Sequence, residues 1–238
     1  DALPIFLNER SRYLRSLIEE IIALAKLTES DPKLDRKAVD AENLCLQAIA
    51  SIEPESSRRE VNLSLDRGLK NPTNSESSGS RLLLLDKNLF QQMLQNLLLS
   101  VIYTADAGTT VKLHLSRKEE ELVLAVWMSH PILGNSLPHS HFHASKLSNL
   151  EAIAPPVGNL TPLTSGIRKI KLTFSELATL IFQGMPAEPN LPAASKSEDL
   201  LRLLLACQLL EWQGGTLSIQ GSQDLGYRYL LSFPFNNR

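Results

Sequence analysis

His139, His141 and His143 stand at every second position of the run PHSHFHAS. In an extended segment that period turns all three to one side, and converging imidazoles can gather a transition metal. No Cys or carboxylate flanks them closely, so a plain polar loop describes the same residues. His114 falls in an alternating apolar–polar segment and reads as an exposed or satisfied sheet residue rather than a catalytic base. Cys45 and Cys207 are too few for a disulfide framework. Both sit in apolar helical patterns and read as reduced core thiols of a cytoplasmic protein. No nucleophile triad, Walker-type phosphate loop or redox pair is visible elsewhere.

The chain that must position these groups has 238 residues, 24 Lys and Arg, 26 Asp and Glu, and a formal net charge of -2. That balance argues against a dedicated nucleic-acid binder. No apolar run approaches the roughly 18 residues of a membrane-spanning helix. The first residue is Asp1 and no signal-peptide pattern follows, which suits a piece trimmed from something longer. The apolar content is dominated by leucine, 46 residues in all, so helices and their packing carry the reading.

Residues 8–28 have an amphipathic helical pattern, with Leu14, Leu17, Ile18, Ile21 and Ile22 on one stripe and Glu9, Arg10, Arg12, Arg15, Glu19 and Glu20 opposite. A stripe with no nearby long helix to cover it points to a second copy of the chain. A helix is expected from Asp40 to Ile52, stopped by Pro54. Residues 61–65 alternate as a half-buried strand, 68–80 are turn-rich, and 82–85 read as a buried strand. Asp86 then caps an apolar helix through Val101. Residues 111–115 and 122–128 form a hairpin. Residues 129–165 lack periodicity and read as a long insertion. A helix follows at Phe174–Phe182, with Ser175 as its expected cap, and another at Leu200–Trp212, ended by Gly214 and Gly215. The last two strands close as a hairpin. The fold class expected is α+β: a two-layer sandwich in which strands joined as antiparallel hairpins form a sheet covered by helices on one face.

Three segments together resemble one family. Val39-Asp40 opening a helix before a strand, the helix DKNLFQQMLQNLLLSVIYT at Asp86–Thr104, and LLEWQGG at Leu209–Gly215 before two closing strands are similar to the catalytic ATPase domain of sensor histidine kinases. That family's fold is a mixed sheet covered by helices, shared with gyrase, Hsp90 and MutL-type ATPases. The resemblance implies a domain over residues 31–238, interrupted by the insertion at about 129–165. It also implies that residues 1–30 supply the second helix of a dimerisation hairpin.

The same resemblance marks where the nucleotide machinery would stand. The family's N box has two Asn, four apart. Here Asn96 matches the first and Ser100 occupies the second, where a hydroxyl is a poorer ligand for a hard cation than an amide oxygen. Tyr103 falls at the family's basic position. Met128 falls at the adenine-recognising Asp, and His130 and Ile132 at the two following Gly. Counting back from Gly214 puts Leu200 and Arg202 where the phosphate-cradling turn has Gly. Asn96 is then either a residual nucleotide contact or a locally bonded helix residue. Arg202 either binds phosphate or is structural.

The resemblance with these departures implies a pseudokinase of two-component signalling. It would lack ATP and metal chemistry and act as a homodimer that docks on a response regulator or another kinase. One alternative is an atypical active kinase that binds ATP and Mg²⁺ and phosphorylates a His upstream of Asp1. Another is a ligand- or metal-sensing module using the 129–165 insertion.

Overall fold

The computed structural model describes residues 22, 33–67, 82–118, 121–130, 134–136, 168–183, 194–222 and 226–235. Strand β1 (Arg36–Asp40) leads into helix α1 (Ala41–Arg58), followed by β2 (Asn62–Arg67), β3 (Leu82–Asp86) and α2 (Lys87–Thr104). Strands β4 (Thr110–Arg117), β5 (Glu121–His130), β6 (Gly134–Ser136) and β7 (Arg168–Leu172) come next. Helices α3 (Phe174–Gln183) and α4 (Ala194–Trp212) precede the last strands, β8 (Thr216–Ser222) and β9 (Gly226–Pro234).

The main sheet runs β2-β4-β5-β9-β8-β7, with β6 paired to the end of β5. Strands β2 and β4 are parallel, and the other pairs are antiparallel. The sheet is therefore mixed, as the family resemblance implies, with the parallel pair standing beside the expected hairpins. The parallel pair needs a crossover, and β3 and α2 supply it. Strands β1 and β3 form a separate two-stranded antiparallel sheet.

Alternation decides which side chains reach the core. Val111, Leu113 and Leu115 of β4 point inward, as do Leu122, Leu124 and Val126 of β5, against Phe90, Leu94, Leu97 and Leu98 of α2. The other residues of β5, Val123 and Ala125, join Leu230 and Trp127 in a small apolar cluster on the opposite face. Helix α2 packs on α1 and α4. In α4, Leu203, Leu204, Leu205, Leu209 and Leu210 are all buried, as a helix apolar round most of its circumference must be.

The Asp cap expected at Asp86 is present, and Asp40, read as the first residue of its helix, is also a cap. Asp40 Oδ1 accepts from the Glu42 and Asn43 amides at 2.9 and 3.5 Å. Asp86 Oδ1 accepts from Asn88 and Leu89 at 3.0 and 3.1 Å. Each satisfies amides that the first helical turn leaves without partners. Asp86→Ala should lower stability by about 1 kcal/mol in urea unfolding, and Asp86→Asn by much less. Equal losses for the two would show that the cap bond is not what Asp86 contributes.

Several boundaries differ from the sequence reading. Helix α1 does not stop at Pro54 but continues to Arg58. The proline forfeits one amide bond, while Ile52 and Ser56 on either side of it are buried and hold the last turn. Only Leu83 and Leu85 of β3 are buried. Leu82 and Leu84 are 50% and 48% exposed, because a two-stranded sheet has one uncovered face. Thr173, not Ser175, caps α3. Its Oγ1 accepts from the Glu176 amide at 3.2 Å, and Glu176 Oε2 accepts from the Thr173 amide at 2.8 Å, a reciprocal capping box. Helix α4 begins at Ala194 rather than Leu200. It ends at Trp212; Gly214, whose φ of 77° suits glycine, turns the chain away, and the Gly215 amide donates to Leu210 O at 2.9 Å. The insertion is not wholly irregular: β5 reaches His130 and β6 pairs with it.

Candidate functional site

Helix α2 places Asn96, Ser100 and Tyr103 along one face at helical spacing. Each of these side chains is engaged locally. Asn96 Nδ2 donates to Gln92 O at 2.9 Å. Ser100 is 1% exposed, and its Oγ donates to Leu97 O at 2.7 Å. Both groups thus turn back on the helix that carries them.

Tyr103 is the centre of a charged cluster. The guanidinium of Arg59 lies 4.1 Å from its ring centroid, and that of Arg202 lies at 5.4 Å. Arg59 Nη1 also donates to Tyr103 O at 3.3 Å, tying the end of α1 to the end of α2. Two cations on one ring are attracted by its negative face, most strongly where water is partly excluded. Glu55 balances Arg59 and its neighbour Arg58. It accepts from Arg58 Nη2 and, at 3.4 Å, from Arg59 Nε. Burial pushes the Glu55 carboxyl up. The hydrogen bond and charge of Arg58, with Tyr103 and Arg59, outweigh it and hold the carboxyl below its ordinary range.

The other residues singled out by the motif comparison scatter around this cluster. Met128 is 8% exposed and belongs to the main core. His130 ends β5 opposite Gly134. Leu200 and Arg202 lie within α4, past its first turn, and not at a glycine-type turn before the helix. Leu200 packs against the core. The structure thus joins Tyr103 to Arg202, and it carries Asn96 and Ser100 on the same helix face as Tyr103. Ile132, Leu14, Leu17, Ile18, Ile21, His139, His141 and His143 lie outside the described residues.

Sequence reasoning missed Glu55, Arg58 and Arg59. Their spacing at the end of a helix, Glu followed by Arg three and four residues on, is the pattern of an intrahelical ion pair and was the available signal. His114 Nδ1 lies 3.3 Å from Asp66 Oδ2, which agrees with a satisfied sheet histidine. Cys45 and Cys207 are buried free thiols, and burial pushes each thiol up to about 12. At that value neither is a nucleophile near neutral pH. Among the described residues no three His, Cys, Asp or Glu are grouped to hold a metal. Also among them, no helix is long and apolar enough to cross a membrane.

No protein-family model matches the sequence, and no curated protein matches it. Solved structures do resemble it in shape. The histidine kinase AdeS of Acinetobacter baumannii superposes with a TM-score of 0.56 at 13% identity, over 100% of this chain and 86% of that one. Full-length ShkA in complex with AMPPNP gives 0.58 at 16% identity, over 98% of this chain and 38% of ShkA. The histidine kinase ThkA, in complex with the response regulator TrrA, gives 0.57 at 12% identity, over 100% of this chain and 53% of ThkA. The fold is therefore that of histidine kinase catalytic domains: a mixed sheet with helices packed on it.

Proposed function

We propose that this chain is a two-component signalling protein of the histidine kinase type that keeps the fold and has given up nucleotide chemistry. It acts by association. A second copy joins through the stripe Leu14, Leu17, Ile18, Ile21 and Ile22, and a response regulator or another kinase docks on the pair. ATP and Mg²⁺ are not its cofactors.

The observation that carries this reading is the engagement of α2. A kinase of this fold needs an oxygen-rich helix face turned to the metal and a cation turned to the phosphates. At the corresponding positions Asn96 and Ser100 bond to carbonyls of their own helix. The basic position holds Tyr103, whose ring gathers Arg59 and Arg202. Arg202 supports a structural role here, because its guanidinium faces the ring. Met128 at the adenine position offers only a weak thioether acceptor and lies in the core. The complex of ThkA with a response regulator supports the class of partner.

A melting experiment tests the reading. A ligand that binds only the folded state raises stability by RT ln(1 + L/Kd), where L is the free ligand concentration, so the gain grows with concentration above Kd. The melting temperature should stay unchanged with millimolar ATP and Mg²⁺. A rise that depends on Mg²⁺ and is lost in Asn96→Ala would favour an active kinase instead.

A further inference from the structure

Strand β1 carries the chain into the domain, yet it buries almost nothing. Of residues 33–40 only Leu34 and Val39 are half-buried, and the others are exposed. Val39 packs against the core. The backbone of β1 pairs with β3 in a two-stranded sheet separate from the main one. Two strands by themselves are marginally stable in water.

Two further bonds fasten this segment, each to the end of a different helix. The Asp35 amide donates to Asp86 Oδ2 at 3.1 Å, while the other oxygen of the same carboxylate caps α2. Arg36 Nη2 donates to Trp212 O at 3.2 Å, on the last residue of α4. A last-turn carbonyl has no partner inside its helix, and a cation there meets the negative end of the helix dipole. Both bonds are exposed to solvent. Helices α2 and α4 pack on each other, so both fasteners close together only while the start of α2 and the end of α4 keep this alignment. Lys37, by contrast, bonds to Asp35 of the same segment at 2.6 Å.

A segment held by exposed hydrogen bonds, with little apolar burial, opens at far lower cost than the whole fold. We infer that residues 33–39 form a releasable strap. They peel from β3, Asp86 and Trp212 while the main sheet and its helices stay folded. Asp40 stays in place as the cap of α1 and ends the peeled length. Fastened, the strap fixes the chain at Lys33 to the ends of α2 and α4. Released, the pivot moves to Asp40, and the chain ahead swings on a tether of about 23 Å, at roughly 3.3 Å per residue. In the association proposed above, that tether sets how far the domain travels to a partner. The strap itself depends neither on that association nor on the loss of nucleotide.

Hydrogen exchange of the full chain, read by peptide mass spectrometry, tests it. In the parent, amides of residues 36–39 should exchange through a local opening, faster than those of β4 and β5 and at a rate insensitive to urea below the unfolding transition. Arg36→Ala should accelerate them about fivefold, the scale of one exposed hydrogen bond, with β4, β5 and the melting temperature unchanged. Lys37→Ala removes an exposed cation of the same strand that fastens to neither helix, and should leave the rate as in the parent. Amides of residues 36–39 as protected in the parent as those of β4 and β5 would overturn the strap, because β1 would then open only with the whole fold. So would an Arg36→Ala rate equal to the parent's, or an equal acceleration by Lys37→Ala.

Discussion

Phe90→Ala should cost about 3–5 kcal/mol, the range for emptying an aromatic site in a packed core. Phe90 is 1% exposed on α2, and its ring centre lies 5.3 Å from that of Phe233 on β9 at an interplanar angle of 48°. That tilted pair joins the central helix to a central strand, so the substitution removes both buried area and a ring–ring contact. A loss of this size is a large share of the roughly 5–15 kcal/mol that holds an ordinary domain folded. Urea unfolding should show the midpoint falling with little change in slope. A loss below about 1 kcal/mol would mean that α2 does not pack on the sheet as described.

Tyr103→Lys should also destabilise the chain, by about 2 kcal/mol or more. The substitution restores a basic side chain at the position where the histidine kinase motif has one. Here it would set a third cation between Arg59 and Arg202 and remove the ring that attracts both. Glu55 is already shared between Arg58 and Arg59, so the added lysine gains little from it. Tyr103→Phe is the control: it keeps the ring and should lose clearly less. If Tyr103→Lys were as stable as the parent and gained affinity for Mg²⁺ and ATP, the cluster would be an accidental arrangement over an intact site. The two predictions differ in kind. The first concerns the fold that this chain shares with kinases, and the second the proposal that it has given up their nucleotide chemistry.

The elements that were legible in the sequence are those whose own residues settle their environment. The β4–β5 hairpin alternates cleanly because one face meets the helices, and Asp40 and Asp86 announce their helices by chemistry that only a cap needs. Two edge strands, β1 and β7, were not legible. RKAVD of β1 and RKIKL of β7 carry cations at several positions, which an edge tolerates and which hides the strand pattern. Pro54 was read as a stop because local propensity says so, but burial of the neighbouring helical residues overrode it. The helix carrying Asn96, Ser100 and Tyr103 was legible, from its Asp86 cap and apolar pattern. Nothing in the sequence shows that Arg59, 44 residues before Tyr103, would close on that ring. Such a contact exists only once the fold has formed. Leu200 and Arg202 fall inside α4 because that helix starts at Ala194, ahead of the apolar run that marks it in the sequence.

The central claim is that the fold survives here without its nucleotide. Calorimetric titration of the folded chain with ATP, or with a non-hydrolysable analogue, in the presence and absence of Mg²⁺, tests it most directly. The account predicts no binding heat at millimolar nucleotide under either condition. A Mg²⁺-dependent isotherm in the micromolar range would contradict it and would assign Asn96 to the nucleotide.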